Sequence, residues 1–154
     1  LFHGVTKPLM FFSAGNVQQH YGSPYLRKVR GVIHRLPWTG GLFLLATCAV
    51  TGTPPFSIFQ SEFTALSAAV AADHPWAAGL FMLGVVTVFV GFLLHMTRMN
   101  LGTAPETTVP APECPWKLGA MLVVAAVVVA FGFWVPGPLL ELVNQSAHII
   151  GGVP

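Results

Sequence analysis

Four mostly apolar stretches, residues 1–18, 38–72, 76–97 and 116–135, alternate along the chain with short segments that collect its charge, proline and glycine. Stretches three and four are each close to the roughly 20 residues that cross a bilayer as one helix. The second holds 35 residues and carries "TGTPPFSIF" near its centre. Gly52, Pro54 and Pro55 cannot continue a regular helix there, because proline lacks an N–H and pushes the residue before it out of the α region. As one continuous helix the stretch would reach about 52 Å, too long for a hydrocarbon core of about 30 Å, so an unwound middle is expected.

Charge placement chooses between one broken crossing and two short ones. Arg27, Lys28, Arg30 and Arg35 lie in the loop before the broken stretch, and Arg98 and Lys117 flank the loop 98–115. A single crossing puts all six on one side, as the concentration of Lys and Arg in cytoplasmic loops requires. The pattern predicts an all-α integral membrane protein of four transmembrane helices, the second broken at Gly52–Pro55. Residues 1–135 form the bundle and 136–154 a short amphipathic tail. Loops 19–37 and 98–115 are expected to be cytoplasmic and the C-terminus on the opposite side. Trp38, Trp76, Trp116 and Trp134 fall at span ends, where aromatic anchors belong. The chain begins inside an apolar segment with no initiator Met or signal-peptide pattern, so it is expected to be a piece of a longer protein.

Composition agrees with a bilayer as the destination. Hydrophobic residues make up 54% and charged residues 8% of the chain, with mean hydropathy +0.70, against about 25% charged in a soluble domain. The net charge of +2 and the lack of a basic run interleaved with aromatics exclude a nucleic-acid surface. Cys48 and Cys114 form no CxxC and no Cys/His cluster, so no metal site and no cofactor is expected.

Against this background the ionisable groups inside the spans stand out. Lys7 lies 11 residues before Gln18, about 16 Å deep, and Glu62 lies 10 residues before Ala72, about 15 Å from the opposite edge. Each costs on the order of 3 kcal/mol to hold there, so each needs a partner or a watered path. His3 and Lys7 are an i,i+4 pair about 6 Å apart at Cβ, close enough to pass a proton directly or through one water. Pro8 removes the N–H that would bond the Gly4 carbonyl and favours a kink. The bland alternatives are a snorkelling end-of-helix charge for Lys7, a packing histidine for His3 and a carboxylate capping the break for Glu62. His95, about a turn before Arg98, is equally a relay member or an interfacial residue.

At these residues a family resemblance emerges. His3, Lys7, Leu9, Phe11 and Gly15 fill a pattern H-x-x-x-K-x-L-x-F-x-x-x-G, and Gly52, Pro54, Pro55, Phe56, Phe59, Ser61 and Glu62 fill G-x-P-P-F-x-x-F-x-S-[EK]. Together they resemble the antiporter-like membrane subunits of NADH:quinone oxidoreductase, multisubunit Na+/H+ antiporters and energy-converting hydrogenases. Ile58, where many relatives carry Gly, makes "TPPFSIFQSEF" look closest to the hydrogenase-4 and formate hydrogenlyase branch. The resemblance implies a fourteen-helix bundle of inverted repeats of which this chain is the last four helices. It implies that His3 and Lys7 are relay members, that Glu62 is the terminal exchange residue, and that Thr53 sits within the broken segment. Pro8 replaces a small residue common after the lysine, and the family's N-terminal half is absent here, so this piece is not expected to pump alone.

The resulting expectation is a non-redox, proton-translocating subunit of a redox-driven complex in the inner (cytoplasmic) membrane. Its partners are other membrane subunits, the lipid bilayer and protons. A Na+/H+ antiporter subunit, with Na+ as the ion, and a structural membrane anchor without conduction are the two alternatives.

Overall fold

The computed structural model describes residues 2–105 and 108–151; Leu1, residues 106–107 of the second loop and residues 152–154 of the tail lie outside them. Among the described residues the chain is helical without strands: α1 Phe2–Tyr21, α2 Val32–Arg35, α3 Pro37–Val50, α4 Ser57–Ala71, α5 Pro75–Leu101, α6 Pro115–Phe133 and α7 Gly137–Gly151. α3, α5 and α6 each open on a proline at their first position, where the missing N–H would have no partner in any case and the fixed φ already suits a helix.

Among the described residues two helices, α5 and α6, are long and apolar enough to cross a membrane, and α3 is a shorter apolar helix. Their ends differ from the sequence expectation in a physically simple way. α5 runs to Leu101, beyond the expected 97, because backbone hydrogen bonding carries the helix through the polar turn around Arg98. α6 stops at Phe133 and not at 135, since Trp134 is extended two residues before Pro136. α1 continues through Tyr21 with Pro8 inside it. Expected span 38–72 appears as α3 and α4 with a non-helical joint at 51–56.

α1 packs against α3 and α6 through a face of small hydroxyls and aliphatics, Thr6, Leu9, Ser13 and Val17. The Thr6 and Ser13 hydroxyls donate to the carbonyls of Phe2 at 3.0 Å and Leu9 at 2.8 Å, so polar groups enter the interior already satisfied. One core cluster gathers Leu9 of α1, Leu42 and Ala46 of α3, and Met121 and Ala125 of α6. A second joins Val17, the loop residue Val29, Val32 and Leu36 to Phe43 of α3 and Met99 of α5.

That second cluster brings both basic loops to one end of the bundle. The Arg35 guanidinium donates to the Pro105 carbonyl at 3.3 Å, and the Lys117 ammonium bonds the Gln19 side chain. Glu113 fastens the same end: its carboxylate accepts the backbone N–H groups of Trp38 and Thr39 at 2.8 Å each and the Thr39 hydroxyl at 2.5 Å. An anion at the unsatisfied N–H groups and positive dipole end of α3 is the favourable placement. Asn100, fully buried, donates to the Gly40 carbonyl at 2.8 Å and ties the end of α5 to α3.

Candidate functional site

The joint between α3 and α4 is built by three residues that defeat helix propagation in sequence. Thr51 closes α3 with its N–H bonded to the Thr47 carbonyl at 3.1 Å. Gly52 then takes φ +70°, a left-handed conformation that side chains adopt only at a cost. The Thr53 N–H bonds back to Cys48 at 3.0 Å instead of to Ala49, and the Pro54–Pro55 peptide is cis. Val50 and Thr51 would need N–H donors from residues 54 and 55, and both are prolines, so these carbonyls at the negative end of α3 have no helical donor. α4 begins at Ser57 after an extended Phe56.

The joint is pinned to the end of α6. The Ser57 hydroxyl donates to the Phe131 carbonyl at 2.7 Å, and the Gln60 amide donates to the Gly132 carbonyl at 3.1 Å. Gly132 is itself a close-approach position, since a Cβ there would stand 2.7 Å from the Pro55 carbonyl oxygen.

Glu62, half-buried on the second turn of α4, folds its carboxylate against Gly52, where a Cβ would overlap it. It lines a cavity of about 280 Å³ together with Thr51, Thr53 and Pro54, closed on the other side by Phe59, Phe63 and the α5 residues Phe81 and Phe89. A second cavity of about 360 Å³ reaches Glu62 from Leu80, Gly84 and Val88. The carboxylate thus stands between two spaces at a helix break. The Thr53 hydroxyl oxygen is buried there without a hydrogen-bond partner, and the Ser61 hydroxyl is engaged with the Ile58 carbonyl at 2.8 Å. The carboxylate, the unpartnered hydroxyl and the carbonyls without helical donors are the polar groups of an otherwise apolar space, and can accept a proton or a small cation.

Of the sequence-derived candidates, Gly52, Thr53 and Pro54 meet Glu62 in one cavity, whereas His3 and Lys7 line neither of its cavities. Both lie on the exposed side of α1, away from the Thr6–Leu9–Ser13–Val17 face. Their end of the helix is tied to the joint through α6: Phe2 meets Phe131 edge-on at 6.3 Å between ring centroids, and Phe131 is the residue whose carbonyl receives Ser57. Pro55 and Phe56 complete the joint beside Gly132. His95 lies elsewhere, with its Nδ1 2.8 Å from the Gly91 carbonyl and its ring beside arginines at the basic end.

Two contributors escaped sequence reasoning, Gln60 and Gly132, which hold the joint to α6. The proximity of "GTPPF" to a glutamine and a serine was a usable hint for Gln60; nothing local flags Gly132. At the other end, the backbone N–H groups of Lys117 and Trp116 hold the exposed Cys114 thiol below the usual thiol range.

Comparison with known proteins places these features in context. A family model described as NADH:quinone oxidoreductase/Mrp antiporter, transmembrane, matches residues 1–91, covering α1 to α4 and most of α5. The chain is 28% identical over 150 residues to a hydrogenase-4 component F homolog of Methylacidiphilum infernorum, covering 96% of this chain and 30% of the relative. It is 32% identical over 130 residues to NADH-quinone oxidoreductase subunit N of Salinispora arenicola, covering 82% and 24%. To a Na(+)/H(+) antiporter subunit of Alkalihalophilus pseudofirmus it is 27% identical over 99 residues, covering 64% and 19%. The chain therefore spans less than a third of the length of these relatives. No solved structure matches it.

Proposed function

The chain belongs to the NADH:quinone oxidoreductase/Mrp antiporter transmembrane family, and from that membership we propose that it carries part of a proton path through a redox-driven membrane complex of the hydrogenase or NADH dehydrogenase type. Glu62 is the exchange residue. The carrying observation is its carboxylate lodged against Gly52 at a helix joint, reached from two mostly apolar cavities without a cation among the described residues that line them. A group so placed alternates between a protonated and an ionised state as water and neighbouring charge change, without moving the backbone.

His3 and Lys7 serve as the other half of the relay. Their shared face is open on α1, so the partner that compensates the Lys7 charge comes from a further helix packed on that side. Lys7 loads and releases a proton that His3 passes on over the i,i+4 distance, and water carries it between α1 and the joint. Four crossings are part of this reading: α1, the α3–α4 pair, α5 and α6, with other membrane subunits alongside. Na+ is a second candidate ion, favoured by the carbonyls that Pro54 and Pro55 leave without donors; dependence of transport on Na+ in vesicles separates the two.

Lys7→Ala in the intact complex tests the relay. The complex assembles as wild type, while protons translocated per electron pair fall sharply, since loss of a positioned proton-transfer group slows its step by about two to four orders of magnitude. Normal pumping by the assembled variant would remove Lys7 from the relay, whereas loss of assembly would favour a structural membrane anchor. Topology is tested separately. Both basic loops are placed on the cytoplasmic side, so Cys114, exposed and with its thiolate favoured, is expected to react with a membrane-impermeant maleimide only in inside-out vesicles, and faster than Cys48. Labelling in right-side-out vesicles reverses the orientation.

A further inference from the structure

The arginines of the basic end do not scatter. Arg27 and Arg30 of the loop after α1 and Arg98 of α5 line a single cavity of about 380 Å³, joined by His95 and floored by the buried pair Val29 and Met99. Among the described residues, no carboxylate lines it. The remaining basic groups of that loop are occupied elsewhere: the Lys28 ammonium lies 5.9 Å over the Tyr25 ring, and Arg35 donates to Pro105. The loop segment itself is held, since the Tyr21 hydroxyl donates to the Arg30 carbonyl at 2.8 Å and the Lys28 N–H to the Tyr25 carbonyl at 2.9 Å. A carbonyl can only accept, so the His95 Nδ1 donates to the Gly91 carbonyl at 2.8 Å.

Three arginines around one cavity, with no carboxylate among the described residues that line it, attract an anion, and their planar forks match phosphate oxygens. The surroundings say which phosphate. α5 continues from the cavity as an exposed apolar surface, with Val90 and Leu94 about half exposed and 6% of its most apolar 18-residue stretch buried. A free anion has no use for that surface, while alkyl chains attached to the phosphate do. We propose that this cavity binds the phosphate of an anionic membrane lipid, with the acyl chains lying along α5. The site stands apart from the proton path and survives or fails independently of it.

The test is lipid retention by the protein purified intact from its membrane, washed with detergent and presented with phosphatidylglycerol or phosphatidylcholine in mixed micelles, bound lipid being counted by mass spectrometry. Wild type retains phosphatidylglycerol in preference. Arg27→Gln, Arg30→Gln and Arg98→Gln each weaken retention by about fivefold, the effect of removing one basic group near an anionic lipid. Lys28→Gln leaves retention unchanged, and Arg98→Lys recovers part of the loss. Helicity by circular dichroism confirms that each single variant is folded. Equal retention by wild type and the three glutamine variants overturns the proposal. Displacement of the lipid by excess inorganic phosphate makes this a free-anion site and overturns it as well. So does loss of a co-purifying protein with lipid unchanged, which would assign the arginines to an acidic partner segment.

Discussion

Glu62→Gln is expected to stop proton translocation while leaving the complex assembled. The substitution keeps the shape of the side chain and the packing beside Gly52, so both cavities and the joint at 51–56 keep their form. What it removes is the ability to bind and release a proton at that point. Loss of a positioned proton-transfer group slows a step by about two to four orders of magnitude, and among the described residues no second carboxylate lines either cavity to take over. In vesicles of the intact complex, the acidification signal of a pH-sensitive dye should fall to the background of an uncoupled membrane, with redox turnover still measurable when an uncoupler is present. An unchanged ratio of protons to electrons would remove Glu62 from the path. Glu62→Asp should recover part of the signal, limited by a carboxylate withdrawn by one methylene from Gly52.

The break that positions Glu62 was legible in the sequence, because its causes are local: a glycine and two prolines act on their own backbone and on carbonyls three or four residues back. Helix positions were legible to within a few residues from apolar runs, and the gathering of the basic loops at one end followed from charge counting. The contacts that hold the site were not legible. Glu113 bonds residues 74 and 75 positions away, Gln60 reaches Gly132 and Asn100 reaches Gly40. Such pairs leave no periodic trace, since each partner is an ordinary polar residue or glycine in its own segment. His3 and Lys7 show the complementary limit. Their spacing placed them on one face of α1, but spacing does not say what that face meets, and in this chain it is open. His95 lines a cavity with three arginines, neighbours that spacing along the chain does not reveal.

Gly132→Leu is expected to fail in the opposite manner, losing the fold of the site with every charge intact. A single Cβ at residue 132 would already stand 2.7 Å from the Pro55 carbonyl oxygen and 3.3 Å from the Phe56 Cα. Both neighbours are backbone atoms of the joint, which cannot rotate away as a side chain can. α6 must therefore withdraw, and with it go the hydrogen bonds from Ser57 to Phe131 and from Gln60 to Gly132. Each bond contributes about 1 kcal/mol, and forced overpacking costs about 1–3 kcal/mol more. The sum, about 3–5 kcal/mol, is a large share of the stability of an ordinary domain, and corresponds to a melting temperature lower by about 10 °C. Gly132→Ala should fall between wild type and Gly132→Leu. Gly119→Ala, on the same helix but with open space around the added methyl, should melt as wild type does. If Gly132→Leu melts within about 2 °C of wild type, the close packing of α6 on the joint is not what holds Glu62 in place. If it unfolds while Glu62→Gln stays folded and silent, the architecture of the joint and the chemistry of its carboxylate are separable, as a path that moves protons without moving its backbone requires.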